Sequence, residues 1–236
     1  KENGGEELFA EGEPERLATA VPGLDPALAG GLVRGAIYLV MGRPGTGKTT
    51  LGNQLSFPHA RHGRAVYVTM LAESHASMLK NLRKMSFFDR SFLNKSLYYV
   101  GAYKALREHG LRALLDVVRQ VIKDHRASLL VVDGISPARA HAPTDVALKE
   151  FIVELQTLCS MTDCTAVLLA NMTSEDANGP EHTMVDGLVE LAFERSPKRT
   201  SRCLEVIKFR GNEHLLGRHD VEISDEGFAV YPRISA

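Results

Sequence analysis

Cysteine is scarce: Cys159, Cys164 and Cys203 are the only three in 236 residues. Neither their spacing nor their odd number suits a structural metal site or a disulfide framework. They fit buried thiols in a reducing cytosol. Long apolar runs are also missing, and no stretch approaches the roughly 18 residues that a membrane-crossing helix needs. No signal-peptide pattern is visible in a chain that opens on Lys1, so a cytoplasmic location with no membrane partner is expected. Excess charge of one sign is absent too, with 28 basic residues against 29 acidic ones and a formal net charge of −1. That balance gives no general attraction to nucleic acid, which is not an expected partner, although it permits a local basic strip inside an oligomer. There is no internal repeat and no long low-complexity segment. A chain of this length, 44% hydrophobic, is expected to bury one core in a single α/β domain.

One sharp signal stands out against these absences. Residues Gly42, Arg43, Pro44, Gly45, Thr46, Gly47, Lys48, Thr49 and Thr50 match the phosphate-loop pattern G-x-x-x-x-G-K-[ST]. The loop follows the apolar run Ala36–Met41, which reads as a strand, and precedes a helix through Leu51, Leu55 and Phe57. Strand, glycine loop and helix form the context the motif requires. The glycines let the backbone aim amide N–H groups at phosphate oxygens, and the helix adds its positive end. Lys48 is expected to reach the β and γ phosphates of a nucleoside triphosphate, and the Thr49 hydroxyl to hold Mg²⁺.

Residues 1–16 are rich in Glu and Gly and read as a flexible acidic lead-in. Residues 17–236 read as the single nucleotide-binding domain. From Leu17 to Gly35 short turns predominate, expected to fold over an edge of that domain. Strands are expected at Ala65–Met70, Leu97–Val100, Ser128–Val132 and Thr165–Leu169, separated by helices over Ser74–Met85, around Leu111–Ile122 and around Leu148–Leu158. This alternation predicts a mainly parallel sheet covered on both faces. After a polar loop from Asn171 to His182, runs at Leu188–Phe193, Leu204–Phe209, Val221–Ile223 and Phe228–Tyr231 predict antiparallel strands extending the sheet.

Chemistry collects around the loop. An apolar strand ending in Asp133 delivers a carboxylate where it can orient a water on Mg²⁺. Glu73, just beyond the second strand, reads either as the group that positions or deprotonates the attacking water or as a first-turn helix stabiliser. Asn171 reads either as a γ-phosphate or water contact or as a turn cap. Lys208 and Arg210 fall on one face of a strand with Phe209 opposite, and two adjacent cations call for solvent or an anion. His75, His182 and His214 have no partner that the sequence demands; His182 is expected to be pore-facing or solvated.

These residues together resemble the KaiC branch of the RecA-like ATPases. The resemblance runs from about Leu17 to Pro232. It is carried by Pro22-Gly23-Leu24-Asp25, Gly30-Gly31-Leu32, the phosphate loop, and Ala72-Glu73-Ser74. The tail from Leu204 to Gly211, with His214, Gly217 and Ile223–Gly227, is its most distinctive part. It implies a RecA-like three-layer sandwich with a C-terminal antiparallel extension. It also implies a ring, usually a homohexamer, with ATP between neighbours and Lys208 and Arg210 reaching the adjacent subunit's phosphates. Asp186 and the loop before it would lie toward the ring centre.

Three departures qualify the resemblance. One domain is present where the clock protein has two. Ala72-Glu73, with an apparent extra Leu71, replaces the usual paired glutamates. His182-Thr183 stands where the self-phosphorylating domain carries adjacent Ser-Thr acceptors. The resulting expectation is Mg²⁺-dependent ATP binding with slow hydrolysis in an oligomeric signalling or clock-like protein, with room for a regulatory protein partner. The alternatives are a Ser/Thr autokinase acting on Thr183, a DNA-recombination accessory ATPase, and a scaffold that binds nucleotide without hydrolysing it.

Overall fold

The structure is a computed structural model that describes residues 14–70, 75–172, 180–196 and 199–233. It opens with β1 (Arg16–Leu17), α1 (Leu24–Ala27) and β2 (Leu32–Val33), where β1 and β2 form a small antiparallel pair. The nucleotide-loop unit follows as β3 (Ile37–Gly42) and α2 (Lys48–His59). Next come β4 (Ala65–Thr69), α3 (His75–Leu82), β5 (Leu97–Gly101), α4 (Tyr103–His125), β6 (Leu129–Asp133) and α5 (Ser136–Ala140). The chain continues through α6 (Asp145–Thr162), β7 (Thr165–Ala170), α7 (Pro180–Met184), β8 (Gly187–Ser196), β9 (Arg199–Phe209), β10 (Arg218–Ser224) and β11 (Gly227–Tyr231).

Nine strands form one sheet in the order β11-β10-β9-β8-β3-β7-β6-β4-β5. Alternation along β3 divides the core. Ile37, Leu39 and Met41 point to the face covered by α4 and α6, while Tyr38 and Val40 point to the face holding α2 and the N-terminal turns. Every residue of β3, β4, β6 and β7 is buried, as expected for parallel strands covered on both sides. The result is the expected three-layer α/β sandwich.

Local signals account for the helix ends. Thr144 Oγ1 accepts from the Ala147 amide at 3.1 Å and starts α6, and Asp163 stops it in the left-handed region at φ 53°. Within α4, Gly110 adopts φ 74° and ψ −164°, so the helix kinks where the sequence offers its most permissive residue. The N-terminal turns lie against the last strand: the Val230 amide donates to Pro22 O at 2.8 Å. A Cβ on Gly23 would come within 1.9 Å of Val230 O, so only glycine admits this approach.

The tail departs from expectation in one respect. Its first strand, β8, runs parallel to β3, and antiparallel pairing begins only at β9. After β7 the chain returns to the end of the sheet where β3 and β7 begin, and β8, starting there beside β3, must run the same way. Gly187 to Leu191 are accordingly buried throughout, like a central parallel strand.

Candidate functional site

The site forms at the carboxyl ends of β3, β7, β6 and β4, the rim where open parallel sheets bind ligands. The phosphate loop links β3 to α2. Its tip, Arg43 to Gly45, is exposed, whereas Thr46 and Lys48 are buried. Thr46 holds the turn, with its Oγ1 donating to Arg43 O at 2.9 Å. A Cβ on Gly42 would meet Leu191 O at 2.3 Å and Thr46 Oγ1 at 2.8 Å. One on Gly47, at φ 107°, would meet Ile223 Cδ1 at 2.4 Å. The loop can therefore close this tightly only on glycine. Gly47 caps α2 without any side-chain hydrogen bond, so the first-turn amides are not claimed by a cap.

Lys48 Nζ donates to Gly42 O at 2.7 Å and to Arg43 O at 3.0 Å, which holds the ammonium in the mouth of the loop. Burial lowers its pKa from the usual lysine value, against the opposing pull of the Asp133 charge. Thr49 Oγ1 donates to Asp133 Oδ2 at 2.9 Å. A hydroxyl and a carboxylate side by side, next to helix amides and a lysine, are an all-oxygen pair of the kind that suits Mg²⁺ bound to phosphates. The residues present fit a nucleoside triphosphate with its divalent cation.

Asn171 follows the end of β7, between the loop and Asp133, where it is exposed and its amide donates to Ser136 Oγ at 2.9 Å. It shares the rim, and the turn-cap contact is made through its backbone. Glu73 lies outside the described residues. The strand before it ends beside Asp133, with Thr69 opposite Asp133 in the register and the Met70 amide donating to Asp133 O at 2.9 Å.

Lys208 and Arg210 are not brought to their own chain's loop. Gly42 is level with Leu191, whereas Lys208 pairs with Leu188 nearer the other end of the sheet. Three residues of strand separate the two levels, roughly 10 Å, with Lys208 on the far side. There Lys208 Nζ donates to Thr183 O at 2.8 Å, and Arg210 lies 3.5 Å from Asp186. Burial and the neighbouring Arg210 lower the Lys208 pKa. Asp186 acts as a local anchor: it accepts from the Ile37 amide and from Gln156 Nε2, each at 3.0 Å. His182 is buried, not solvated, and its Nε2 stands 3.1 Å from Met172 Sδ, because α7 turns it inward.

Several site residues escaped the sequence reading. Tyr67 donates to Asp133 Oδ2 at 2.8 Å, Tyr99 donates to Asn53 Oδ1 at 2.6 Å, and Asn53 Nδ2 donates to Thr49 O at 2.7 Å. Thr69 Oγ1 meets His75 Nε2 at 2.7 Å, and burial lowers the His75 pKa. Arg202 Nε donates to Gly45 O at 3.3 Å, with its guanidinium 5.5 Å from the Phe193 ring. The only available signal was spacing: Tyr67 and Thr69 share a parity on β4, which places both on one face.

The family model described as "ATPase: KaiC" matches residues 17–235. This chain belongs to the KaiC ATPase family. Curated relatives of similar length include UPF0273 proteins of Pyrococcus horikoshii and Thermotoga maritima. Each is 26% identical, with 92% of this chain aligned to 94% and 96% of theirs respectively. A UPF0273 protein of Aeropyrum pernix is 28% identical, aligned over 92% of this chain and 94% of its own. Among solved structures, a KaiC-like protein of Pyrococcus horikoshii superposes with a TM-score of 0.80 at 22% identity. It covers 93% of this chain and 100% of its own, which establishes a shared fold. Membership of the KaiC family supports ATP binding by a RecA-like domain and a potential for ATP hydrolysis. Among the described residues no helix is long and apolar enough to cross a membrane.

Proposed function

We propose that this KaiC-family chain binds ATP with Mg²⁺ and hydrolyses it slowly in a homo-oligomeric ring. In this reading each nucleotide sits in one chain's phosphate loop and meets Lys208 and Arg210 of the next. A bound Mg²⁺ would supply charge neutralisation at the phosphates. The chain's own residues do the rest. The loop amides and Lys48 orient the triphosphate, and Thr49 and Asp133 hold the cation side. Glu73 orients the water for in-line attack on the γ-phosphorus. The paired cations from the adjacent copy stabilise the charge that develops there.

The observation that carries this reading is the split between the two rims of the sheet. A complete phosphate cradle lies at one rim. Two adjacent cations, held by the Thr183 carbonyl and Asp186, are displaced toward the other and too far to serve that cradle, which supports the reading that the phosphate they meet belongs to another chain. The test is phosphate release from ATP by the intact protein, by Lys48→Ala and by Glu73→Gln. Intact protein should release phosphate at a low steady rate, Lys48→Ala should release none, and Glu73→Gln should fall at least about a hundredfold. Equal rates for intact protein and Glu73→Gln remove Glu73 from the mechanism. Ala72, in place of one of the paired glutamates, favours a second reading: a scaffold that assembles on ATP without turnover. Its signature is ATP-dependent assembly with no phosphate released.

A further inference from the structure

The metal-side carboxylate has a second hydroxyl donor that the phosphate-loop pattern does not contain. Asp133 Oδ2 accepts from Thr49 Oγ1 at 2.9 Å and from Tyr67 OH at 2.8 Å. Both donors use the same oxygen, which leaves Oδ1 without a hydrogen bond among the described residues. Tyr67 is fully buried in the middle of β4, one strand away from Asp133 on β6, and its ring lies against Gly52 of α2.

A second tyrosine controls the other half of the pair. Tyr99, opposite Tyr67 on β5, donates to Asn53 Oδ1 at 2.6 Å, and Asn53 in turn donates to the Thr49 carbonyl at 2.7 Å. The two rings contact each other at a centroid distance of 5.2 Å. Adjacent strands thus present two phenols, one to the carboxylate and one, through Asn53, to the turn that carries Thr49. Packing alone does not account for this, because phenylalanine would fill the same ring positions. The hydroxyls are what reach Asp133 and Asn53.

We infer that Tyr67 is a positioning residue for the divalent cation: it fixes the Asp133 carboxylate by its Oδ2 and keeps Oδ1 turned to the rim, so that Thr49 and Asp133 present preset oxygens to the metal. This rests on the ATP–Mg²⁺ reading above. Partners that orient ligand groups in this way typically contribute a factor of ten or more to metal affinity.

The test is the affinity of the full-length protein for a fluorescent ATP analogue, measured in EDTA and again in Mg²⁺, for the intact protein and for Tyr67→Phe. The intact protein should bind in EDTA and tighten when Mg²⁺ is present. Tyr67→Phe should keep its EDTA affinity and lose about tenfold of the Mg²⁺-linked tightening. A purely structural role would lower affinity in both conditions together, and that result overturns the inference. So does identical tightening in the two proteins, or none in either. Absence of nucleotide binding by the intact protein in both conditions defeats the ATP reading itself, and the inference with it. If Tyr67→Phe does not fold, 3-fluorotyrosine at position 67 gives the answer by ¹⁹F NMR. Its resonance must shift when Mg²⁺ is added to the nucleotide-bound protein, and a stationary resonance overturns the proposal.

Discussion

His59, at the last turn of α2, shows how one buried group imposes a pH dependence on the domain. Its Nε2 contacts Ser128 Oγ at 2.8 Å. Burial, with Arg34 and His62 adding positive charge nearby, lowers its pKa to about 4. An unfolded histidine titrates near 6.5, so as the pH falls the unfolded chain takes up the proton first. Stability from this residue is present above about pH 6.5 and is lost progressively down to about pH 4, by at most about 3 kcal/mol. Urea unfolding from pH 7 to 4 should show this loss in the native protein and a flatter profile in His59→Gln. At the same scale, the phosphate loop and Asp133 were legible because contiguous glycines, a lysine and a strand-terminal aspartate each carry their chemistry locally. Tyr67 was not legible. Its partner Asp133 is 66 positions away, and the contact depends on β4 lying next to β6. Nothing in the local pattern around Tyr67 states that strand order.

Helix α2 is locked to the final strand by Gln54, whose Nε2 donates to Phe228 O at 2.9 Å while its Oε1 accepts from the Phe228 amide at 2.6 Å. The side chain is buried and completes a backbone pair that no other strand supplies. Gln54→Ala leaves an amide and a carbonyl unsatisfied in the core and should cost about 2–4 kcal/mol, read as a lower melting temperature. Hydrogen exchange should show faster exchange at the Phe228 amide, with little change on β6, which would place the loss in the hairpin. Ile223 and Phe228 also press on Gly47, so loosening the hairpin relaxes the floor of the phosphate loop. The existence of these tail strands was readable from their apolar runs. The direction of β8 was not, because side-chain alternation is the same in parallel and antiparallel strands. Only the return of the chain to the end of the sheet where the parallel strands begin decides it.

Over the whole molecule, the layered α/β fold followed from strands and helices in alternation, and the family match over residues 17–235 agrees with it. The proposed assembly has its sequence signal only in the tail motif, since the contact proposed for Lys208 and Arg210 involves a second chain. Under the proposed function, neither Lys48→Ala nor Arg210→Ala is active alone. The first lacks a cradle but keeps the cations, while the second keeps the cradle and lacks a cation. The most direct measurement is therefore ATP turnover by the two variants mixed in equal parts and allowed to exchange subunits. A site completed between chains predicts recovery toward about a quarter of the native rate, the share of interfaces that pair an intact cradle with intact cations in random mixing. A mixture as inactive as its separate components, in assemblies shown to contain both variants, would contradict it.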